Sequence, residues 1–404
     1  MQAALPPDRE RNHLMKILMV TDQYYSANNG YTISSRRFAA VLRAHGHEVR
    51  IASFAAPGDV PAGEIAYVMK KLTIPFFDGL IRSQGMTFAR PDKALLAQAI
   101  VWADVVHFVS PFALSHVGIG IARRLGVPYT AAFHVQPENI TSSIHLGRVG
   151  WVNTAIYRWF RFYIYRYCRH VHCPSNFIAG ELRRNGYTSC LHVISNGIDP
   201  DFTYRKLPKA PQLQGKFTVL MVGRMSVEKR QDVLIRAVGL SRHASQIQLV
   251  LAGQGPRTRY LQKLARSLPN PLILRFFPKP QLLELIAMSD LYVHAADMEI
   301  EAMSCMEAFA GGLVPVIANS PKSATPQFAL DERSLFTAGD AQDLARKIDY
   351  WIENPEERAR MEHRYAEHAR QYALDACVRQ CEQMFAQAIA DNDAQRPTPC
   401  AESV

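Results

Sequence analysis

Two stretches of this 404-residue chain hold side chains whose types and spacing suit chemistry on an anionic, hydroxyl-rich ligand. In Gly223-Arg224-Met225-Ser226-Val227-Glu228-Lys229, two cations follow an apolar run and precede a helical pattern. A guanidinium fork, an ammonium point charge and the N–H groups of a helix start together suit a diphosphate. A solvated basic turn would carry the same residues. In the second stretch, EIEAMSCMEAFAGG, seven residues separate Glu299 from Glu307. The first falls in a loop and the second inside a helix starting near Met303–Ser304. Such carboxylates can accept hydrogen bonds from the paired hydroxyls of a sugar and of a ribose, with the N–H groups of Ser304, Cys305 and Met306 free to meet phosphate. Glu307 could instead sit on a helix surface, but its neighbours are apolar, and a buried carboxylate without a partner is costly.

The elements that must position these residues alternate between short apolar runs and helical patterns, the sign of a parallel sheet. KILMVTD (16–22), EVRIASF (48–54), VVHFVS (105–110), PYTAAFH (128–134), VHCPS (171–175) and LHVISNG (191–197) read as strands, with a helix over 35–46. Residues 55–93 read as an irregular, aromatic-bearing loop or insertion outside the core. Residues 201–215, within the proline-rich PDFTYRKLPKAPQLQG, read as a linker. The pattern then restarts with KFTVLMVG (216–223), a helix over 229–240, IQLVLAG (247–253), LILRFF (272–277), DLYVHAA (290–296) and LVPVIAN (313–319). The expected fold is α/β, two doubly wound Rossmann-like domains facing across a cleft, with ligands at the carboxyl ends of their strands. The first spans 15–200 and the second 216–365, and a helix over 366–390 packs back on the first.

With these elements in place, GRMSVEKRQDVLIRAV, LVLAGQGP and the Glu-x7-Glu segment followed by AFAGGLVPVIA resemble the family-4 retaining glycosyltransferases of the GT-B fold. The likeness runs from Lys16 to about Tyr372. It implies that Arg224 and Lys229 hold the donor diphosphate, Glu307 the ribose hydroxyls and Glu299 those of the transferred sugar. It also implies that His134 lines the reaction centre; taken alone, that histidine could equally be core. The family's glycine-rich first loop is reduced to Asn28-Asn29-Gly30, with Gly30 left to approach the donor. Its Gly-Phe-Gly after the first Glu is Ile300-Glu301-Ala302, and Arg230 stands where Gly follows the Lys. HVQPENI (134–140), EIEAMSCMEAF and PKSATPQFAL (321–330) are similar to bacterial diacylglycerol glucosyltransferases. The resemblance implies a UDP-sugar donor, glucose first, and a lipid acceptor. Arg224, Lys229 and a helix start would neutralise the diphosphate, so no metal and no other cofactor is expected. Transfer of mannose or galactose to a polysaccharide or another lipid is the alternative.

Charge adds a partner. Residues 1–210 hold 24 Lys+Arg against 13 Asp+Glu, whereas the remainder is close to balance. An anionic membrane surface or nucleic acid would suit such an excess, as would simple solvation. WVNTAIYRWFRFYIYRYCRH (151–170) interleaves aromatics with Arg158, Arg161, Arg166 and Arg169. It reads either as an interfacial surface, with Trp159 at headgroup depth and the arginines on lipid phosphate, or as a core helix with one basic face. A nucleic-acid binder lacks support, since no helix-turn-helix, finger or RNP pattern occurs. A dinucleotide oxidoreductase lacks its G-x-G-x-x-G. The seven cysteines match no zinc or redox spacing and read as reduced. No secretory signal or membrane span is expected, so the chain is placed in the cytoplasm, peripheral on the inner face of the membrane.

Overall fold

The structure, a computed structural model, describes residues 14–25, 30–73, 86–142 and 150–395. Apolar runs without alternation suit strands covered on both faces, as parallel strands are by their crossover helices. KILMVTDQ accordingly forms β1 (Lys16–Gln23), buried from Ile17 onward. Around it lie β2 (Glu48–Phe54), β3 (Ala66–Leu72), β4 (Phe88–Arg90), β5 (Val105–Phe108), β6 (Tyr129–Ala132), β7 (His170–Cys173) and β8 (Cys190–Val193). Their order is β4-β3-β2-β1-β5-β6-β7-β8, with only β3–β4 antiparallel among these pairs. The second sheet uses β9 (Phe217–Val222), β10 (Ile247–Ala252), β11 (Ile273–Arg275), β12 (Leu291–His294), β13 (Pro315–Asn319) and β14 (Leu335–Thr337). It is ordered β11-β10-β9-β12-β13-β14 and its pairs are parallel. The helices used below are α1 (Gly30–Ala44), α2 (Gly150–Tyr163), α3 (Gln231–Leu240), α4 (Met303–Ala310) and α5 (Leu374–Gln395). This is a two-domain, doubly wound α/β architecture.

Two readings of the sequence need correction. Residues 55–93 are not all irregular: β3 and β4 lie there, and Tyr67, Met69 and Ala89 join the core of the first domain. Residues 74–85 of that stretch lie outside the described residues. The first helix starts at Gly30 rather than Ser35, because GYTIS adds a turn that carries little apolar signal.

The segment 200–215, which contains one 3-10 turn at Pro211–Leu213, is not loose. Phe202 and Leu213 are buried in the second domain's core, and the Leu207 N–H donates to the Ala287 carbonyl at 3.0 Å. At the far end of the chain, α5 crosses over to the first domain. Leu374, Cys377, Val378, Cys381, Met384 and Phe385 pack with Ile17, Met19, Phe38 and Leu42. At roughly 1.5–3 kcal/mol per fully buried apolar side chain, that face rivals the net stability of a domain. The crossing is tight: the Ile198 N–H donates to the Tyr372 carbonyl at 2.7 Å. Gly197 has φ +75, and a Cβ there would lie 2.8 Å from Leu374 Cα. No described helix is long and apolar enough to cross a membrane.

Strand order reverses between β1 and β5 in one sheet and between β9 and β12 in the other. The loops leaving the carboxyl ends at such points diverge and open a crevice for ligands.

Candidate active site

In the second domain the loop after β9 carries Arg224 and Lys229, and the loop after β12 carries Glu299. The topology therefore brings them to one switch point. Lys229 Nζ donates to Glu299 Oε1, and His294 Nε2, at the end of β12, lies 3.0 Å from the same oxygen. Burial pushes the Glu299 carboxyl up, but Lys229 and His294 more than reverse this and leave it at about 2. Burial holds the His294 ring below its usual range despite the pull of Glu299. Tyr292 OH lies 3.2 Å from His294 Nδ1 and donates to Ser304 Oγ at 3.1 Å, linking β12 to the start of α4.

Close packing fixes the cationic loop. The Met225 N–H donates to the Gln254 carbonyl at 3.1 Å, and Gln231 Nε2 to the Arg224 carbonyl at 2.8 Å. A Cβ on Gly253, whose φ is +154, would lie 2.0 Å from the Gly223 carbonyl oxygen. That contact explains the first glycine in LVLAGQGP. Among the described residues, two that are not glycine adopt left-handed backbone: Arg230 (φ 53) and Ala302 (φ 64). They precede α3 and α4 and bracket the site. Such backbone costs a side-chain-bearing residue about 1–2 kcal/mol. For Arg230, Nη1 bonds Asp297 Oδ2 at 2.7 Å and helps to hold the turn.

The carbonyl of Ala302 accepts from the N–H groups of Cys305 and Met306, at 2.9 and 3.3 Å. The expectation that those two amides are free is therefore corrected. Their side chains are buried in the domain core, which leaves the helix tip to Met303 and Ser304.

On α4, buried Glu307 accepts from Arg37 Nη2 of α1 at 2.8 Å, across the two domains. Arg37 Nε also lies 3.4 Å from Asp199 Oδ2. Burial raises the Glu307 carboxyl, opposed by Arg37. Arg37 Nη1 is buried without a hydrogen-bond partner among the described residues, and such an orphan donor is costly unless a ligand meets it. Further ties bind the domains. Asn196 N and Nδ2 donate to Glu301 Oε2 at 2.8 and 2.7 Å, Ser175 Oγ to the Ile300 carbonyl at 2.7 Å, and Gln136 Nε2 to the Lys322 carbonyl at 3.1 Å. Burial raises Glu301 to about 7.

Comparison with known proteins fits this geometry. A sequence profile described as Glycosyltransferase Family 4 matches residues 28–202, and one described as Glycosyl transferases group 1 matches 204–368. The chain belongs to these glycosyltransferases. It is a hexosyltransferase of the GT-B fold. A GDP-mannose-dependent alpha-mannosyltransferase of Corynebacterium glutamicum is 28% identical over 329 residues, covering 79% of this chain and 75% of the relative. An alpha-monoglucosyldiacylglycerol synthase of Streptococcus pneumoniae is 26% identical over 323 residues, covering 76% and 71%. In fold, HepE of Anabaena, solved with UDP and glucose, gives a TM-score of 0.69 at 19% identity, covering 92% of this chain and all of that one.

Other residues of this glycosyltransferase fall less simply. His134 follows β6, edge-on to His172 at 5.0 Å between ring centroids, beside a small cavity lined by His107, Phe38 and Phe385. Burial, then His172 and His107, hold it well below its usual range, so it is uncharged at neutral pH. Gly30 opens α1 with nothing within 4 Å of a would-be Cβ, so crowding does not demand a glycine there. Asn28 and Asn29 lie outside the described residues. On α2 one face packs into the core and the other is solvent-exposed. Asn153, Tyr157 and Phe160 are buried, while Arg158, Trp159, Arg161 and, just beyond the helix, Arg166 are exposed. Two Asp-x-Asp pairs occur, at Asp199/Asp201 and Asp391/Asp393. Lys279 Nζ lies 2.7 Å from both Asp199 Oδ2 and Asp201 Oδ2.

The sequence reading missed Arg37, His294 and Glu301. Arg37 meets Glu307 from 270 residues away, which no local pattern reveals. His294 closes an apolar strand, and that position at a switch point was its one available signal.

Proposed function

We propose that this glycosyltransferase moves glucose from UDP-glucose to a hydroxyl of a membrane lipid such as 1,2-diacylglycerol, retaining the anomeric configuration. The observation that carries the donor half is the Lys229–Glu299–His294 cluster at the switch point of the second sheet. Lys229 and Arg224 take the diphosphate and stabilise its charge as the sugar leaves, a preorganised electrostatic role. Glu299, released from Lys229, accepts hydroxyls of the hexose, and Glu307 accepts those of the ribose. Arg37 supplies its unpaired Nη1–H to the same ligand. The departing phosphate takes the acceptor's proton, and no metal takes part.

Support for a lipid acceptor comes from α2. With 3.6 residues per turn, Trp151, Arg158, Trp159 and Phe162 share one face roughly 100° wide, opposite the buried side. Trp151 is 76% exposed, Phe162 62% and Trp159 51%. Aromatic rings beside arginines suit headgroup depth on an anionic leaflet, hence a peripheral place at the inner face of the cytoplasmic membrane. The diacylglycerol-glycosylating relative supports the same acceptor. A second reading, mannosyl transfer from GDP-mannose, rests on the mannosyltransferase relatives.

A donor panel decides between them. The protein is incubated with labelled UDP-glucose, UDP-galactose or GDP-mannose over vesicles containing diacylglycerol or other lipids, and the products are identified by mass. A glucosyl lipid formed only from UDP-glucose supports the first reading. A mannosyl lipid replaces it with the second.

A further inference from the structure

The parallel register of β7 and β8 sets His170 opposite Cys190 and His172 opposite His192. His192 stands two residues after Cys190, and strand side chains repeat their direction every two residues. His170 Nδ1 lies 3.0 Å from His192 Nε2. One ligand atom each from His170, Cys190 and His192 lies within 4.8 Å of the others. Zinc–nitrogen bonds of about 2.0–2.1 Å and zinc–sulfur bonds of about 2.3 Å ask tetrahedral ligand atoms to stand roughly 3.3–3.7 Å apart. Modest side-chain shifts reach that spacing.

A further contact points the same way. The other nitrogen of His170, Nε2, is 3.0 Å from Asp391 Oδ2 of α5, whose carboxylate Arg169 Nε also meets at 3.0 Å. A carboxylate behind a histidine fixes the tautomer that leaves the opposite nitrogen free to ligate, the arrangement typical of metal-bound histidine.

We propose that His170, Cys190 and His192 bind one zinc(II) ion, with Asp391 as the positioning carboxylate and water in the fourth place. Two imidazoles and a thiolate suit zinc and do not suit magnesium or calcium, which take oxygen ligands. Binding replaces the Cys190 thiol proton, which leaves to solvent, and breaks the hydrogen bond between the two imidazoles. His170 and Cys190 are the first residues of their strands, at the end of the sheet away from the cleft. The ion therefore acts on architecture. It ties β7 to β8 and, through Asp391, holds α5 on the first domain. The Cys-x-His spacing matches no zinc motif because the third ligand comes from the neighbouring strand.

The full chain, stripped by chelator and dialysed, is titrated with Zn²⁺ alone. The expected result is one equivalent bound, tighter than about 1 μM in keeping with built zinc sites, and a raised Tm. Cys190→Ser and His192→Ala should each weaken uptake by about 100-fold, and Asp391→Asn by about 10–100-fold. With Co²⁺ the wild type should show a thiolate charge-transfer band that Cys190→Ser lacks. Circular dichroism of the metal-free variants checks folding; Cys190 is exposed, so Cys190→Ser should retain the apo wild-type spectrum. Uptake weaker than about 100 μM, or stoichiometric uptake unchanged in both ligand variants, overturns the proposal.

Discussion

Lys229 and Glu299 lie 70 residues apart in the chain and close one ion pair across the switch point of the second sheet. Glu299, held at about 2, stays ionised throughout the neutral range. In the proposed reaction, Lys229 leaves this carboxylate for the donor diphosphate. Lys229→Ala and Arg224→Ala should each lower kcat by ~10²-fold, the scale of losing one preorganised charge. Steady-state rates check this. If both variants stay within threefold of wild type, neither residue bears on the leaving group.

The Arg37–Glu307 pair makes a different prediction, because removing one partner leaves a buried charge without compensation. Arg37→Ala should destabilise by roughly 3 kcal/mol. Adding Glu307→Gln should restore part of that loss, since the buried carboxylate is then gone. Thermal melts of the two single variants and the double variant form the test cycle. Strictly additive losses would show that the two side chains do not interact.

Glu301 should make stability fall with pH. Its folded value near 7 lies above the usual 4.5 because of burial. The stability it contributes is present below about pH 4.5 and lost as pH rises through about 7. By linkage the change approaches ~3 kcal/mol. Glu301→Gln should flatten that part of the Tm–pH profile and raise Tm at pH 8. An unchanged profile would mean that Glu301 is already charged when folded.

The outer face of α2 should govern attachment to membranes. Each engaged arginine is worth about 1 kcal/mol near an anionic surface, screened within a Debye length. The protein should sediment with anionic vesicles and come off substantially at ~0.5 M salt. Trp151→Ala with Trp159→Ala should weaken sedimentation without unfolding the protein, since both rings are exposed. Equal partitioning onto neutral and anionic vesicles would remove the electrostatic part of this account.

Features carried by continuous runs were legible in the sequence. β1, β9, β10 and β12 are mainly apolar segments, and the loops after β9 and β12 carry their charged residues next to them. β3 and β4 escaped because AYVMKKL mixes lysines with apolar residues at the sheet's margin, and FAR is only three residues long. Arg37 and Glu301 escaped for another reason: their partners come from distant segments, so the pairing exists only once the domains meet. Ala302 shows both sides. The sequence flags a departure from glycine, and only the structure shows that alanine there still adopts the left-handed backbone, at φ 64.

The most direct test of the central claim uses diacylglycerol vesicles and UDP-glucose labelled at the anomeric carbon, with wild type and Lys229→Ala side by side. The account predicts a glucosyl lipid whose anomeric NMR signal is α, formed ~10²-fold more slowly by the variant. A β-linked product, or release of free glucose with no glycolipid from any donor tested, would contradict it.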